Sequence, residues 1–379
     1  MFIERFELER IQSEWEHRVK YNLSDSGVHP LHVRDLMGED GSREIMDRAL
    51  GYAQTNGPQQ LRERISLLYP SCDIDNILVT NGTAEANFIS TWSTLNAGDE
   101  MVCMLPNYMQ IYGIARSLGA NVKPMYLQED LSWAPDLDRL AEDVSSKTRM
   151  IAVCNPNNPT GAVLSDEAME RIVELASRAG AWILADEVYR GAELDRVRTP
   201  SFWGRYDKVL AISGLSKAFG LPGLRIGWIV GPKDFIEHAW SYHDYTTITA
   251  GTLSYYLASL ALEPGMRERI LNRSQDVLNK NLAILRGWVD RHADLLSLIP
   301  PRAGAMSFLR YNLEINSSEL SRKLLREKSV LTIPGDAYNM DHHLRLGYGE
   351  EGEKLIAALS LIGETLDELR SRARGTDAR

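Results

Sequence analysis

The chain has 379 residues, above the usual span of one hydrophobic core, so two lobes are expected. Hydrophobic residues make up 44% and charged residues 25%, which argues against long disorder and against a membrane-embedded class. A formal net charge of −10 disfavours nucleic acid as a partner, because such binding draws on clustered Lys and Arg against phosphate.

Met1 to Arg10 mixes acids and bases without an apolar run, so no secretory signal is expected, and no stretch approaches transmembrane length. Through Lys20 the apolar residues Phe2, Ile3, Phe6, Leu8, Ile11 and Trp15 recur at helical spacing, which predicts an amphipathic arm packed on a lobe or on a partner subunit. From Asn22 to Leu31 the chain reads as a loop around Gly27 and Pro30. Cys72, Cys103 and Cys154 lie far apart with no CxxC spacing. Reduced thiols in a cytoplasmic protein are expected, with no disulfide framework and no metal site.

Between about Asn76 and Val230, apolar runs alternate with helical patterns, the signature of a mostly parallel α/β sheet flanked by helices. The runs are Ile77–Thr80, Met101–Leu105, Asn121–Tyr126, Met150–Cys154, Trp182–Ala185, Val209–Ile212 and Ile226–Val230, which predicts seven strands. A long helix is predicted over Met266 to His292, after Pro264. Short runs at Ala305–Tyr311, Val330–Ile333 and His343–Gly347 then alternate with helices, as in a smaller α+β lobe, before a polar tail from Ser371 to Arg379 that should fray. The expected organisation is an arm with part of the small domain over 1–46, a large domain over 47–275 and a small domain over 276–379.

Chemistry concentrates where these strands end. The segment Ser213-Gly-Leu-Ser-Lys-Ala-Phe-Gly-Leu-Pro-Gly-Leu-Arg-Ile-Gly-Trp228 sets Lys217 in a Gly/Ser-rich loop after one strand, with Arg225 eight residues on. Asp186, in Leu184-Ala-Asp-Glu-Val-Tyr189, places a carboxylate at a strand end where it needs a cationic partner. Asn155-Pro-Asn-Asn-Pro-Thr-Gly161 forms a rigid turn that aims Asn158. Asn81-Gly-Thr-Ala-Glu85 opens a helix whose first N–H groups, from Gly82 to Ala84, point toward an anion.

Together these motifs resemble the class I/II aminotransferases of the pyridoxal-phosphate (PLP) dependent fold type I, with GYAQTNGPQQLRE (51–63) and LRLGYG (344–349) as outer supports. The resemblance covers about residues 50 to 350 and implies PLP as cofactor. It implies that Lys217 carries the cofactor as a Schiff base and later moves the α-proton. It also implies that Asp186 holds the pyridine nitrogen protonated, and that Tyr189 and Asn158 donate to the cofactor's phenolic oxygen. Tyr108 would stack on the ring. Gly82, Thr83, Ala84, Arg225, Ser213 and Ser216 would surround the phosphate, with Tyr52 reaching it from a neighbouring subunit. That last role implies a homodimer with shared sites. Arg345 would take the substrate α-carboxylate in a planar fork.

Two departures stand out. Gly214 occupies a position where many relatives carry Ser or Thr, leaving Ser213 and Ser216 on either side. Near the N-terminus, Ser24-Asp-Ser-Gly-Val-His-Pro-Leu31 replaces the usual Gly-x-Pro-Asp loop and resembles that of capreomycidine synthase and related PLP cyclases of hydroxylated arginine. Gly27 would still lend its N–H to a substrate carboxylate, and His29 would add an acid or base at the mouth of the site. The function implied is transfer of an amino group from an L-amino acid to a 2-oxo acid by a ping-pong route, with a PLP-dependent lyase or cyclase as the alternative. A nonenzymatic regulator of the same fold is disfavoured, since no helix-turn-helix region is appended and the chemical residues all remain.

Overall fold

The structure is a computed structural model that describes residues 3–38 and 41–376. Phe2 of the arm and the last three positions of the tail lie outside the described residues. The strands in chain order are β1 (Tyr21–Asn22), β2 (Ile77–Asn81), β3 (Glu100–Leu105), β4 (Asn121–Gln128), β5 (Ala134–Pro135), β6 (Thr148–Cys154) and β7 (Trp182–Asp186). They continue as β8 (Val209–Gly214), β9 (Ile226–Val230), β10 (Leu296–Leu298), β11 (Met306–Tyr311), β12 (Val330–Leu331), β13 (Ile333–Pro334) and β14 (His343–Gly347).

The large sheet has the order β2-β9-β8-β7-β6-β3-β4-β5. The seven predicted runs supply its first seven strands. β5 was not predicted; it is a two-residue strand paired antiparallel with β4, too short to leave an alternating pattern. Met150 to Cys154 of β6 are all buried, as befits a central strand with helices on both faces. The helix Asp166–Ala179 shows how one such layer forms. Ser165 caps its first turn, Gly180 ends it in the left-handed region, and Met169, Ile172 and Leu175 bury one stripe. Each such side chain contributes about 1.5–3 kcal/mol through burial.

Strands β3, β6, β7 and β8 are mutually parallel where they pair, and β9 is antiparallel to both β8 and β2, so β2 also runs with β8. The loops leaving β2, β3, β6, β7 and β8 therefore emerge at one edge of the sheet. The segment entering β9 begins there too. This is the place where open α/β sheets hold their ligands.

The smaller lobe is a four-stranded antiparallel sheet, β10-β11-β14-β13, and the N-terminal segment joins it through a parallel pairing of β1 with β12. The helix Pro264–Arg291 passes from the large lobe to the small one. The expected boundary between residues 275 and 276 falls inside it, so the join is a rigid rod. The helix Gly352–Thr376 also continues through most of the tail that was expected to fray. Its inner face is anchored by Leu355, Leu359, Ile362 and Leu366, and extending a formed helix adds a hydrogen bond for each residue fixed. Among the described residues no helix is long and apolar enough to cross a membrane.

Candidate active site

A cavity of about 380 Å³ opens at the convergent edge of the large sheet and is roofed by the small lobe and the N-terminal helix Glu7–Trp15. Lys217, three residues beyond β8, reaches into it. Its Nζ lies 3.3 Å from Oδ1 of Asp25, which also accepts from the Gly27 N–H at 2.9 Å. The motif around β14 holds this loop in place: Gly347 N–H donates to Leu23 O, and a side chain at Gly347 would strike the carbonyl of Asp25. Burial pushes the Asp25 carboxyl up, but Lys217 and the Gly27 N–H outweigh it and hold it below the usual carboxylate range.

Asp186 ends β7 at the cavity floor. Its Oδ2 accepts from Asn87 Nδ2 at 3.1 Å and its Oδ1 from the Val188 N–H at 3.2 Å. Burial raises its pKa, opposed by those donors and by the charge of Lys217. Tyr189, three residues on, donates its hydroxyl to Ser26 Oγ at 2.9 Å, and burial pushes the phenol well above its usual value, so it remains a donor. Asn158 accepts at 3.0 Å from Nη1 of Arg345, and Nη2 donates to the carbonyl of Ser24. Arg345 is 1% exposed, and its Nε has no hydrogen-bond partner among the described residues. A buried donor left open in this way is costly without a ligand.

The anion cradle lies opposite. Gly82 precedes the helix Thr83–Trp92, so the free N–H groups of Thr83 and Ala84 face the cavity at a positive helix end. A Cβ at Gly82, where φ is +81°, would lie 2.3 Å from Nη2 of Arg225. The glycine is what lets the guanidinium approach the helix end. Ser216 lines the same corner, 3.5 Å from Arg225 Nη1. Ser213 turns away and donates to the carbonyl of Glu187 at 3.3 Å, so the cavity does not use its hydroxyl. The departure at Gly214 has a packing cause. A Cβ there would sit 2.7 Å from Ile226 O and 2.9 Å from Thr83 Cγ2, leaving no room for Ser or Thr.

Four other expected residues stand elsewhere or otherwise engaged. Tyr108 lines the cavity, with its hydroxyl donating to Glu9 at 2.6 Å and its ring against Phe6. The Gly27 N–H, expected to meet substrate, is taken by Asp25. His29 is not among the cavity-lining residues: Arg273 reaches its Nδ1 at 2.8 Å and its carbonyl at 3.1 Å, and burial and the same guanidinium lower its pKa. Tyr52 is 93% exposed on the outer face, away from the cavity of its own chain. Sequence reasoning missed Asp25, Ser26, Asn87 and Glu9. Asp25 and Ser26 lay inside a loop already noted as unusual; Asn87 and Glu9 left no signal. Among the described residues no group of three or more His, Cys, Asp or Glu could hold a metal ion.

The profile of the family described as aminotransferase class I and II matches residues 24–360. The chain belongs to this family. A PLP-dependent aminotransferase from Streptococcus suis has a solved structure that superposes with a TM-score of 0.92 at 34% identity, covering 97% of this chain and 99% of that one. Capreomycidine synthase from Streptomyces vinaceus is 28% identical over 95% of this chain and 93% of its own length. A structure of the PLP-dependent cyclase OrfR superposes with a TM-score of 0.87 at 26% identity, over 97% of this chain and 98% of that one.

The protein is thus a PLP-dependent enzyme of fold type I in the aminotransferase class I and II family, and the residues present suit that cofactor. The Asp186 carboxyl is buried at the cavity floor, where a protonated ring nitrogen would pair with it, the Gly82–Arg225 corner suits a phosphate, and Lys217 lines the same cavity. Lys217, Asp186, Thr83, Ala84, Ser216 and Arg225 would hold PLP. When bound, the cofactor supplies an electron sink for a carbanion at the substrate α-carbon.

Proposed function

We propose that this member of the aminotransferase family transfers the amino group of an L-amino acid to a 2-oxo acid, both half-reactions using the one cavity in turn. The observation that carries the reading is that one cavity is lined by Lys217, by the helix-end corner of Thr83, Ala84 and Arg225, and by the guanidinium-bearing Arg345, which suits an α-carboxylate. Arg345 fixes the carboxylate and thereby the α-carbon near Lys217, whose amine takes the α-proton and returns it. Asp25 holds that amine in position. Tyr189 keeps its proton and serves as a hydrogen-bond donor. The test is a half-reaction: the cofactor-loaded protein, given an amino acid and no acceptor, should release about one equivalent of 2-oxo acid per site and continue only when a second 2-oxo acid is added. Continuous product formation without acceptor would refute it.

A lyase or cyclase reaction is the second reading, favoured by the similarity to capreomycidine synthase and the loop at Ser24–Leu31. Mass spectrometry separates the two, since the cyclised or eliminated product keeps or loses nitrogen without an acceptor.

We further propose a homodimer in the cytoplasm. The three cysteines are free thiols, in keeping with a reducing compartment. Met46, Leu50, Tyr52 and Tyr245 are 77–93% exposed, an apolar face that water disfavours and a second copy would cover. Its placement leaves Tyr52 free to reach a neighbour's cradle. Mixing Tyr52→Ala and Lys217→Ala chains should restore part of the activity, and sedimentation should give a dimer; a monomer at micromolar concentration overturns the proposal.

A further inference from the structure

We propose that the amino acid processed in this cavity carries a cationic side chain, ammonium or guanidinium, held by Glu9 and Glu16 of the N-terminal helix. The inference rests on the reading of the site as one that binds PLP and an amino acid.

It follows from the charges that line the cavity. The cations there are Lys217, Arg225 and Arg345, and the acids are Glu9, Glu16, Asp25 and Asp186. Lys217 pairs with Asp25 at 3.3 Å. Arg225 stands at the helix end that suits a phosphate, Asp186 is buried where a protonated ring nitrogen would meet it, and the buried Arg345 lines the cavity with a guanidinium that suits an α-carboxylate. Two carboxylates then remain. Among the described residues neither Glu9 nor Glu16 pairs with a Lys or Arg; Glu16 meets only the exposed His17, 3.3 Å away.

Their placement suits a side-chain subsite. Leu8 is buried, Glu9, Gln12 and Glu16 are half-buried, and Glu7, Arg10, Ser13 and Glu14 are exposed, so one helix face looks into the cavity. Gln12 Nε2 donates at 2.9 Å to the carbonyl of Ser24, the same atom that receives Arg345 Nη2. The α-carboxylate anchor is therefore tied to Gln12, and the two carboxylates flank Gln12 by about one helical turn, roughly 5 Å, on either side. A flexible side chain of four to five bonds, as in lysine or arginine, spans about that distance. Glu9 is held by the Tyr108 hydroxyl yet keeps further acceptor sites, enough to take a guanidinium fork. A dicarboxylic amino acid would bring its second carboxylate against two like charges and find no free cation among these lining residues.

The test titrates the cofactor-loaded protein with L-arginine, L-lysine, L-leucine, L-aspartate and L-glutamate while the visible band of the bound cofactor is followed. Arginine or lysine should half-saturate the change at a concentration at least tenfold below that for leucine or aspartate. Glu9→Gln and Glu16→Gln should each raise that concentration several-fold, and the double variant about tenfold or more, with leucine changed less than twofold. A preference for aspartate, glutamate or leucine, or a double variant that keeps its preference for arginine, overturns the inference alone. A band that no amino acid changes overturns the amino-acid reading of the site, and the inference with it.

Discussion

Lys217 Nζ and Asp25 Oδ1 lie 3.3 Å apart although 192 positions separate them in the chain. The contact joins the loop after β8 to the N-terminal loop that β14 clamps, so the reactive amine is positioned from both lobes. Lys217→Ala should lose the visible band of the attached cofactor and at least 10³-fold of turnover, as expected when the proton-transfer group is removed. Asp25→Asn should keep the band and lose roughly tenfold in turnover, because the amine is no longer held. An unchanged spectrum in the first variant, or unchanged turnover in the second, refutes these roles.

Arg345 is buried with Asn158 Oδ1 and Ser24 O as partners. Arg345→Ala should destabilise the protein by about 2–4 kcal/mol, since it takes the donor from buried Asn158 Oδ1, leaves Ser24 O with Gln12 Nε2 alone, and opens a cavity. Arg345→Lys should restore most of the stability yet not the response to amino acids, because a single ammonium cannot reproduce the fork. Denaturant unfolding and spectral titration separate the two effects. Equal amino-acid half-saturation in the Lys variant and the parent would remove Arg345 from substrate binding.

His29 accepts from Arg273 and does not line the cavity. His29→Asn should therefore leave the product unchanged and alter turnover by less than about threefold, since Asn keeps one acceptor. Product analysis by mass spectrometry checks it. A variant that binds substrate but stalls before product would return His29 to the chemistry and favour the lyase or cyclase reading.

Glu85, in the first turn after the anion cradle, accepts from the Asn81 N–H at 2.6 Å and from Thr247 Oγ1 at 2.8 Å, and its Oε2 is 3.3 Å from His243 Nε2. Burial raises its pKa, but the hydrogen bonds from His243, Thr246 and Asn81 prevail and hold it at about 2, below its ordinary 4.5. A depressed carboxylate contributes stability that is fully present above its unfolded value and is lost as pH falls through its folded value. Glu85→Gln should cost roughly 2–3 kcal/mol at pH 7, with more than half of that difference gone by pH 3. Urea titrations across this range measure it, and a difference independent of pH would show that the charge is not what stabilises the turn.

Much of the fold was legible in the chain because its signals are local. Apolar runs such as Met150–Cys154 mark buried parallel strands, and Pro264 followed by an amphipathic stretch marks the long helix. Motif residues at strand ends, Asp186, Asn158 and Lys217 among them, could be expected at one edge, because strands of common direction deliver their following loops to the same side. The two-residue β5 was invisible, since a pattern needs more residues than it has.

The sequence by itself determined the α/β architecture, the family and the motif residues Lys217, Asp186, Asn158, Arg225 and Arg345 that line one cavity. Only the tertiary structure decided which partner each of them meets. Asp25 and Glu9 reach the cavity, His29 turns to Arg273, and Ser213 turns to a carbonyl, because these outcomes depend on how the N-terminal segment lies against β14 and the sheet edge. Contacts between residues far apart in the chain follow from the packing of whole lobes and leave no periodicity to read. The physical reason is that a strand or helix records its own burial in its spacing, whereas the direction of a loop side chain is set by whatever the folded molecule places beside it.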